Sequence, residues 1–353
     1  MNYFLKKIFY SLLVLLGVVV LVFIMFQGFG DPARMIVGQT GDKKTMDNIR
    51  SDLYLDQPKW KQFVLYVNDV SPLCFHSKAD IEKKQLKGFF IGGINNPDSY
   101  RAGIKIPYLR KSYQTKKEVG KVLMEALPGT LILAFAAMLF ATIIGILLGV
   151  TAAVKKGTWM DTTAVFSSIA GISAPSFFMA IIIAYLFGVV LHSYTGLNLT
   201  GSWFDIDEVT GEKYLSLKNL ILPAFTLGIR PLAIITQLTR SSMLDVLSQD
   251  YIRTAYAKGL GRNAIVYKHA LRNALNPVIT AITGWFAELL AGAFFVEYIF
   301  GWKGIGKITV DALEKLDYPV VMGSVLLSAC IFIIINFFAD VLYRMVDPRI
   351  KVL

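Results

Sequence analysis

RTAYAKGLGRNAIVYKHALRNALNP, Arg253 to Pro277, separates two strongly apolar segments, and its basic, two-helix pattern fixes the reading of everything around it. From Ser248 to Lys258 the chain reads as a short helix. It stops at the Gly259 and Gly261 pair, because glycine tolerates the left-handed backbone of a helix end. Asn263 can cap a second helix, on which Lys268 and Arg272 share one face while Val266, Ala270 and Ala274 lie along another. Six basic residues (Arg240, Arg253, Lys258, Arg262, Lys268 and Arg272) face two acids, Asp245 and Asp250. Anchoring to acidic lipid headgroups and docking onto a partner both suit such a loop.

The rest of the chain is greasy. Of 353 residues, 55% are hydrophobic and only 17% charged, which is too apolar for an ordinary soluble domain and points to a membrane protein. Six stretches approach or exceed the roughly 20 residues that a hydrocarbon core requires, at about 8–28, 127–154, 162–191, 219–243, 278–300 and 319–343. The first follows Lys6 and Lys7, but its apolar run exceeds a signal-peptide core and no A-x-A site follows, so it reads as a retained anchor. With both termini cytoplasmic, the Lys155, Lys156 turn, the 244–277 loop and the tail after Arg344 all fall inside, as the positive-inside rule demands. That use of Lys and Arg (36, against 25 Asp and Glu) leaves no basic face for nucleic acid. Segment 29–126 then lies outside as a small folded insertion, too long for a mere connector.

Local chemistry supports these boundaries. Pro128 suits the first turn of the second span, Asp161 or Thr162 can cap the third, and Pro175, Pro223 and Pro231 imply kinked, packed helices. Gly145 and Gly149 have the small-xxx-small spacing that lets helix backbones approach. Arg230 and Glu288 stand at matching depths in the fourth and fifth spans. An unpaired charge there costs about 2.5–3.5 kcal/mol, so the two are expected to pair or jointly line a pathway.

Enzymatic readings find little support. The histidines His76, His192 and His269 are scattered, there is no H-E-x-x-H or G-x-S-x-G, and Cys74 and Cys330 show no metal or disulfide pattern. GWKGIGK, Gly301 to Lys307, matches G-x-x-x-x-G-K, but Ile308 stands where Ser or Thr should hold Mg²⁺. The apolar residues Ile305, Ile308, Ala312, Leu313 and Leu316 instead describe an amphipathic outer helix, suited to a protein partner or to the membrane surface. A self-sufficient channel or secondary transporter is the alternative reading; it calls for an internal repeat or intramembrane acid clusters, and neither is visible.

The run DYIRTAYAKGLGRNAIVYKHALRNALNPVIT, 250–280, resembles the EAA loop of ABC importer permeases in the form used by the dipeptide and oligopeptide family. Arg253, Thr254 and Ala255 stand at the motif's spacing before Gly259, without its glutamate, and the later proline is displaced to Pro277. ALPGTLILAF (126–135), ISAPSFFMA (172–180), LTRSSMLDVL (238–247), FGWKGIGKITVDALEKLDYPVVMGSVL (300–326) and YRMVDPR (343–349) resemble the same family in the same order.

The resemblance implies an all-α membrane protein of six transmembrane helices with a cytoplasmic EAA-type coupling loop and an enlarged outer loop. Residues 1–28 form the N-terminal tail and first helix, 29–126 the outer insertion, and 127–353 a five-helix core carrying the coupling loop 244–277. The implied protein is a non-catalytic half-pore in the bacterial inner membrane for peptides or related small solutes, with no cofactor of its own. Its implied partners are a second homologous permease, two ATPase subunits that bind the ATP, an extracytoplasmic solute-binding protein and membrane lipid. Tyr251 to Leu260 become the coupling element, with Ala255, Tyr256 and Gly259 filling a groove on the ATPase and Arg253 and Lys258 at its acidic rim. Asp250, Thr254 and Gly261 complete that element, and Arg230 and Glu288 belong to the pathway.

Overall fold

A computed structural model of the chain describes residues 3–28, 46–47, 50–51, 53–92, 99–206 and 211–346. The first part of the outer insertion, 29–45, and the end of the YRMVDPR run, 347–349, lie outside the described residues. In chain order the described residues form α1 (Tyr3–Gly28), α2 (Lys59–Val70), β1 (Leu73–Ser77), α3 (Lys78–Lys84), β2 (Gly88–Ile91), β3 (Tyr100–Lys105), α4 (Val119–Val154), α5 (Trp159–Ser173) and α6 (Ser176–Tyr185). There follow β4 (Phe204–Ile206), β5 (Lys213–Leu215), α7 (Lys218–Leu247), α8 (Asp250–Ala257), α9 (Leu271–Gly292), α10 (Phe294–Ile299), α11 (Ile305–Glu314) and α12 (Tyr318–Val346). Wide π-type turns at Leu186–Val190 and Ala264–Ala270 lead out of α6 and into α9.

Two compact units result, one comprising Met1–Glu125 and Asp311–Leu327, the other Ala126–Val310 and Ser328–Leu353. In the first, Val19 and Val22 of α1 pack with Leu53, Tyr66 of α2, and Tyr318, Met322 and Leu326 of α12. Gln27 donates to Gln62 at 2.6 Å, joining α1 to α2. The buried Asp317 carboxylate accepts from Ser112 Oγ at 2.5 Å and from the Tyr113 amide at 2.9 Å. β1, β3 and β2 form an antiparallel sheet in that order, with Leu73 and Phe89 both opposite Ile104.

The sheet corrects the all-α expectation. Cys74 and His76 point inward from β1 while Leu73 and Phe75 point out, a period-2 alternation that no helix can satisfy. Because the larger apolar side chains lie on the exposed side, the pattern does not announce a strand.

The second unit is built on α4 and α7. Leu133, Ala134, Ala137 and Ala141 of α4 are wholly buried, while Phe135, Leu139, Ile143 and Leu147 form an exposed stripe four residues apart. A helix apolar all round belongs in a nonaqueous medium. Gly145 and Gly149 meet α7 closely: a Cβ on Gly149 would lie 2.5 Å from Thr239 Cβ and 2.7 Å from the Thr236 carbonyl oxygen. The small-residue spacing therefore serves close helix approach, as the sequence suggests.

Leu5–Met25, Val119–Val154, Lys218–Leu247 and Tyr318–Val341 are long and apolar enough to cross a membrane. A fifth crossing arises if α5 and the Ser176–Val190 helix, bent by 108°, are one span. The expected 278–300 segment is instead α9 followed, after Ala293, by the short α10. Asn276, Glu288 and several threonines dilute its apolar character.

Several expected starts move. α4 begins at Val119, so Pro128 lies inside it rather than in its first turn. Its 36 residues span about 54 Å, well beyond a hydrocarbon core of about 30 Å. α5 starts at Trp159 after Thr158, so neither Asp161 nor Thr162 is its cap residue. The Asp161 carboxylate reaches back to the Gly157 amide at 3.0 Å instead.

Candidate coupling surface and charged cavity

α8 is a short helix with two faces. Ile252 and Ala255 are 1% and 8% exposed and pack with Ile265, Val266, Ala270 and Ala274 below, and with Met243, Val150 and Ala153. Tyr251 and Tyr256 stand outward, with Tyr256 51% exposed, together with Arg253, Thr254, Lys258, Gly259 and Leu260. Ala255 therefore anchors the helix to its own support. The outward face belongs to its neighbours.

The stop falls where glycine chemistry places it. Lys258 caps α8 and Gly259 takes φ +77°, whereas Gly261 does not need the left-handed region. Asp250 occupies the first turn, where a carboxylate suits the helix dipole, and Arg253 approaches it at 3.5 Å across solvent. Asn273 of α9 donates to Tyr251 Oη at 2.9 Å, fixing that ring over the following helix.

Two further contacts hold the loop from the side. Arg240 Nε and Nη2 grip Asp161 at 2.5 and 2.9 Å, and Arg262 donates to the Val154 carbonyl at 3.2 Å. The Arg240 fork was not legible in the sequence, since its partner lies 79 residues away. Tyr267, 56% exposed, is another outward aromatic that the sequence pattern did not single out.

Arg230 and Glu288 line one cavity of about 130 Å³ with Trp285, Thr226, Ser176 and Met179. The guanidinium carbon lies 5.4 Å from the Trp285 ring centroid, a cation–π geometry, and Arg230 makes no ion pair with Glu288. Ala174 at the α5–α6 break also faces the cavity, so the broken helix and both charges meet in one place. Trp285 was missed, although its i, i+3 spacing to Glu288 puts both on one helix face.

The GWKGIGK run is occupied by its own protein. Glu297 of α10, 0% exposed, accepts from the Gly306 and Lys307 amides at 2.7 and 3.2 Å and from Thr130 Oγ1 at 2.8 Å. The Ile305 amide donates to Thr130 Oγ1 at 2.9 Å. These amides open α11, the position a phosphate would need, and the Glu297 carboxylate and Thr130 hydroxyl satisfy them already.

Long apolar helices, a charged cavity at a helix break and a small helix with an exposed polar and aromatic face define a membrane transport subunit. Residues 145–352 match the family described as binding-protein-dependent transport system inner membrane component, and residues 1–78 match the N-terminal model of the same systems. The chain is 33% identical to the dipeptide transport system permease protein DppB of Alkalihalophilus pseudofirmus, over 99% of both chains. It is 36% identical to the Escherichia coli K12 protein of that name, covering 91% of this chain and 90% of that one. With the Haemophilus influenzae DppB it shares 44% identity over 68% of this chain and 76% of that one. The inward-facing MetNI methionine ABC transporter is similar in fold, with a TM-score of 0.50 and 18% identity, covering 64% of this chain and 96% of that one.

The chain belongs to the binding-protein-dependent transport system inner membrane component family, the permease subunits of ABC importers. Membership makes it a multi-pass inner-membrane protein of a transport family, not an enzymatic one, and implies ATPase subunits and a binding protein as partners.

Proposed function

We propose that the chain crosses the membrane six times, with both termini and the 244–277 loop cytoplasmic, and forms half of a pore with a second homologous permease. Two ATPase subunits drive it through α8, and a solute-binding protein delivers peptides or related small solutes from outside. The relatives named as dipeptide permeases support that cargo class. The two-faced packing of α8 carries the mechanical part: a helix whose inner side is locked to α7 and α9 and whose outer side offers Tyr251, Tyr256 and Leu260 transmits a push rather than absorbing it. Asp250, Arg253, Thr254, Lys258 and Gly261 border that side, where charge sets register and encounter.

The charged cavity suits a zwitterion. Arg230 and the start of α6 favour a carboxylate, and Glu288 favours an ammonium. ATP hydrolysis and uptake in proteoliposomes test the reading. The complex of both permeases and the ATPase subunits, given the binding protein, is expected to accumulate labelled dipeptide with ATP, and Tyr256→Asp is expected to abolish uptake while leaving insertion intact. Uptake by the chain alone would refute it.

A further inference from the structure

The first unit contains a cavity of about 530 Å³, within the range of small-molecule sites, whose walls include Tyr54, Lys84, Tyr108, Arg110, Tyr113 and Lys116. Behind its Lys84 and Arg110 wall the charges are unbalanced. Asp69 of α2 is 1% exposed, and around it stand Lys84 at 2.6 Å, Arg110 at 4.0 Å and Lys105, whose Nζ donates to the Asp69 carbonyl oxygen. Lys105 is buried at 3%, and the side chains of Lys84 and Arg110 are largely covered, at 12% and 11% exposed. Among the described residues, Lys84 and Arg110 thus share the one buried Asp69 carboxylate while Lys105 holds its backbone carbonyl, and uncompensated buried charge is costly.

The donors point the same way. Arg110 Nε and Tyr113 Oη are buried and have no hydrogen-bond partner among the described residues. Lys84 rests on the rings of Tyr54 and Tyr108, with Nζ 4.9 and 5.7 Å from their centroids, and Arg110 Cζ lies 5.7 Å from that of Tyr54. Aromatic faces thus hold both cations in place. Tyr54, Arg110 and Lys116 all adopt positive φ (60°, 66° and 60°), three of the five non-glycine residues that do so among the described residues. Such strain concentrates at ligand clamps. At the rim, Lys61, Lys83 and Lys111 outnumber Asp56 and Asp80.

We propose that this cavity binds a small oxyanion-bearing solute, a carboxylate or a phosphate, with Arg110 and Lys84 as its counter-charges and Tyr113 Oη as a further donor. The site is independent of the transport reading: it concerns the first unit alone. Its occupant completes the charge balance around Asp69, and the tyrosine rings receive the body of the molecule.

The test uses the full chain in lipid nanodiscs, with three probes: inorganic phosphate, glutarate and the dipeptide Ala-Ala, the last compared with its C-terminal amide. Isothermal titration reads affinity, and hydrogen exchange at 53–57 and 108–116 reads location. At least one probe is expected to bind saturably with a Kd of millimolar or below, slowing exchange in those segments. Phosphate alone would assign a phosphate site, and Ala-Ala without its amide a peptide carboxylate site. Arg110→Gln is expected to weaken binding about tenfold or more. Should that variant fail to fold, Tyr113→Phe, which removes a hydroxyl bonded to nothing among the described residues, serves instead and is expected to fold normally and bind more weakly. Failure of all three probes to saturate at about ten times that Kd, or undiminished affinity in a folded variant, would overturn the proposal.

Discussion

Arg240 forks onto Asp161, Nε to Oδ1 at 2.5 Å and Nη2 to Oδ2 at 2.9 Å, tying the C-terminal part of α7 to the start of α5 before the chain enters α8. A planar guanidinium matched to both carboxylate oxygens is the strong form of this interaction. It holds the end of α7 against α5, ahead of α8. Asp161→Asn is expected to cost about 1–3 kcal/mol, read by thermal unfolding in detergent. It should also speed hydrogen exchange across 250–260. Arg240→Lys, a single point charge in place of a fork, should fall between the two. Unchanged exchange in both variants would mean that the pair does not hold the loop.

Close approach of α4 to α7 depends on the absent side chain at Gly149. Gly149→Val would drive a branched group into Thr239 and the Thr236 carbonyl, and overpacking of this kind costs about 1–3 kcal/mol. Gly120, in the same helix but with open space where a Cβ would stand, gives the contrast. Gly120→Ala is expected to be neutral or stabilising by up to about 1 kcal/mol. Equal melting temperatures for the two variants would contradict the packing account.

Glu297 joins Thr130 of α4 to the first turn of α11. Glu297→Ala leaves buried amide and hydroxyl donors unpaired, at about 1–3 kcal/mol for each. The variant is expected to misfold or to melt far below the parent. Thr130→Val, which removes one acceptor and one donor, should be milder. A stable Glu297→Ala protein would show that the carboxylate is not the fastening of this turn.

Acid should loosen the sheet of the first unit. Burial, followed by the Lys84 ammonium, holds the His76 imidazole below its ordinary value; Lys105 acts in the same direction, while Asp69 and Asp80 oppose it. The unfolded chain then binds a proton that the folded one resists, so the contribution is present above about pH 6.5 and is lost as pH falls towards the folded value. Exchange rates at β1 and β3, corrected for intrinsic pH dependence, should rise between pH 7.5 and 5.5. His76→Gln should flatten that slope. An identical slope in the variant would remove His76 from the account.

Apolar runs were legible because hydrophobicity accumulates along a span, yet their ends were not. Val119–Glu125 extends α4 through residues of mixed polarity, which hid the true start from a reading keyed to greasiness. Pro175 marked a break, but not the size of its bend, 108° across the extended backbone of Ala174 and Pro175. The matched depths of Arg230 and Glu288 placed them in one cavity, whereas the ring beneath Arg230 and the Asp161 clamp depend on tertiary neighbours. In α8 the sequence showed the helix and its glycine stop. It could not show that Ala255 turns inward, because a small residue fits either face.

The most direct measurement places a single cysteine at Tyr256 in a chain whose Cys74 and Cys330 are replaced by alanine, and reacts it with a membrane-impermeant maleimide. The account predicts labelling only from the cytosolic side and protection when the ATPase subunits are bound. Labelling from the exterior, or labelling indifferent to those subunits, would contradict it.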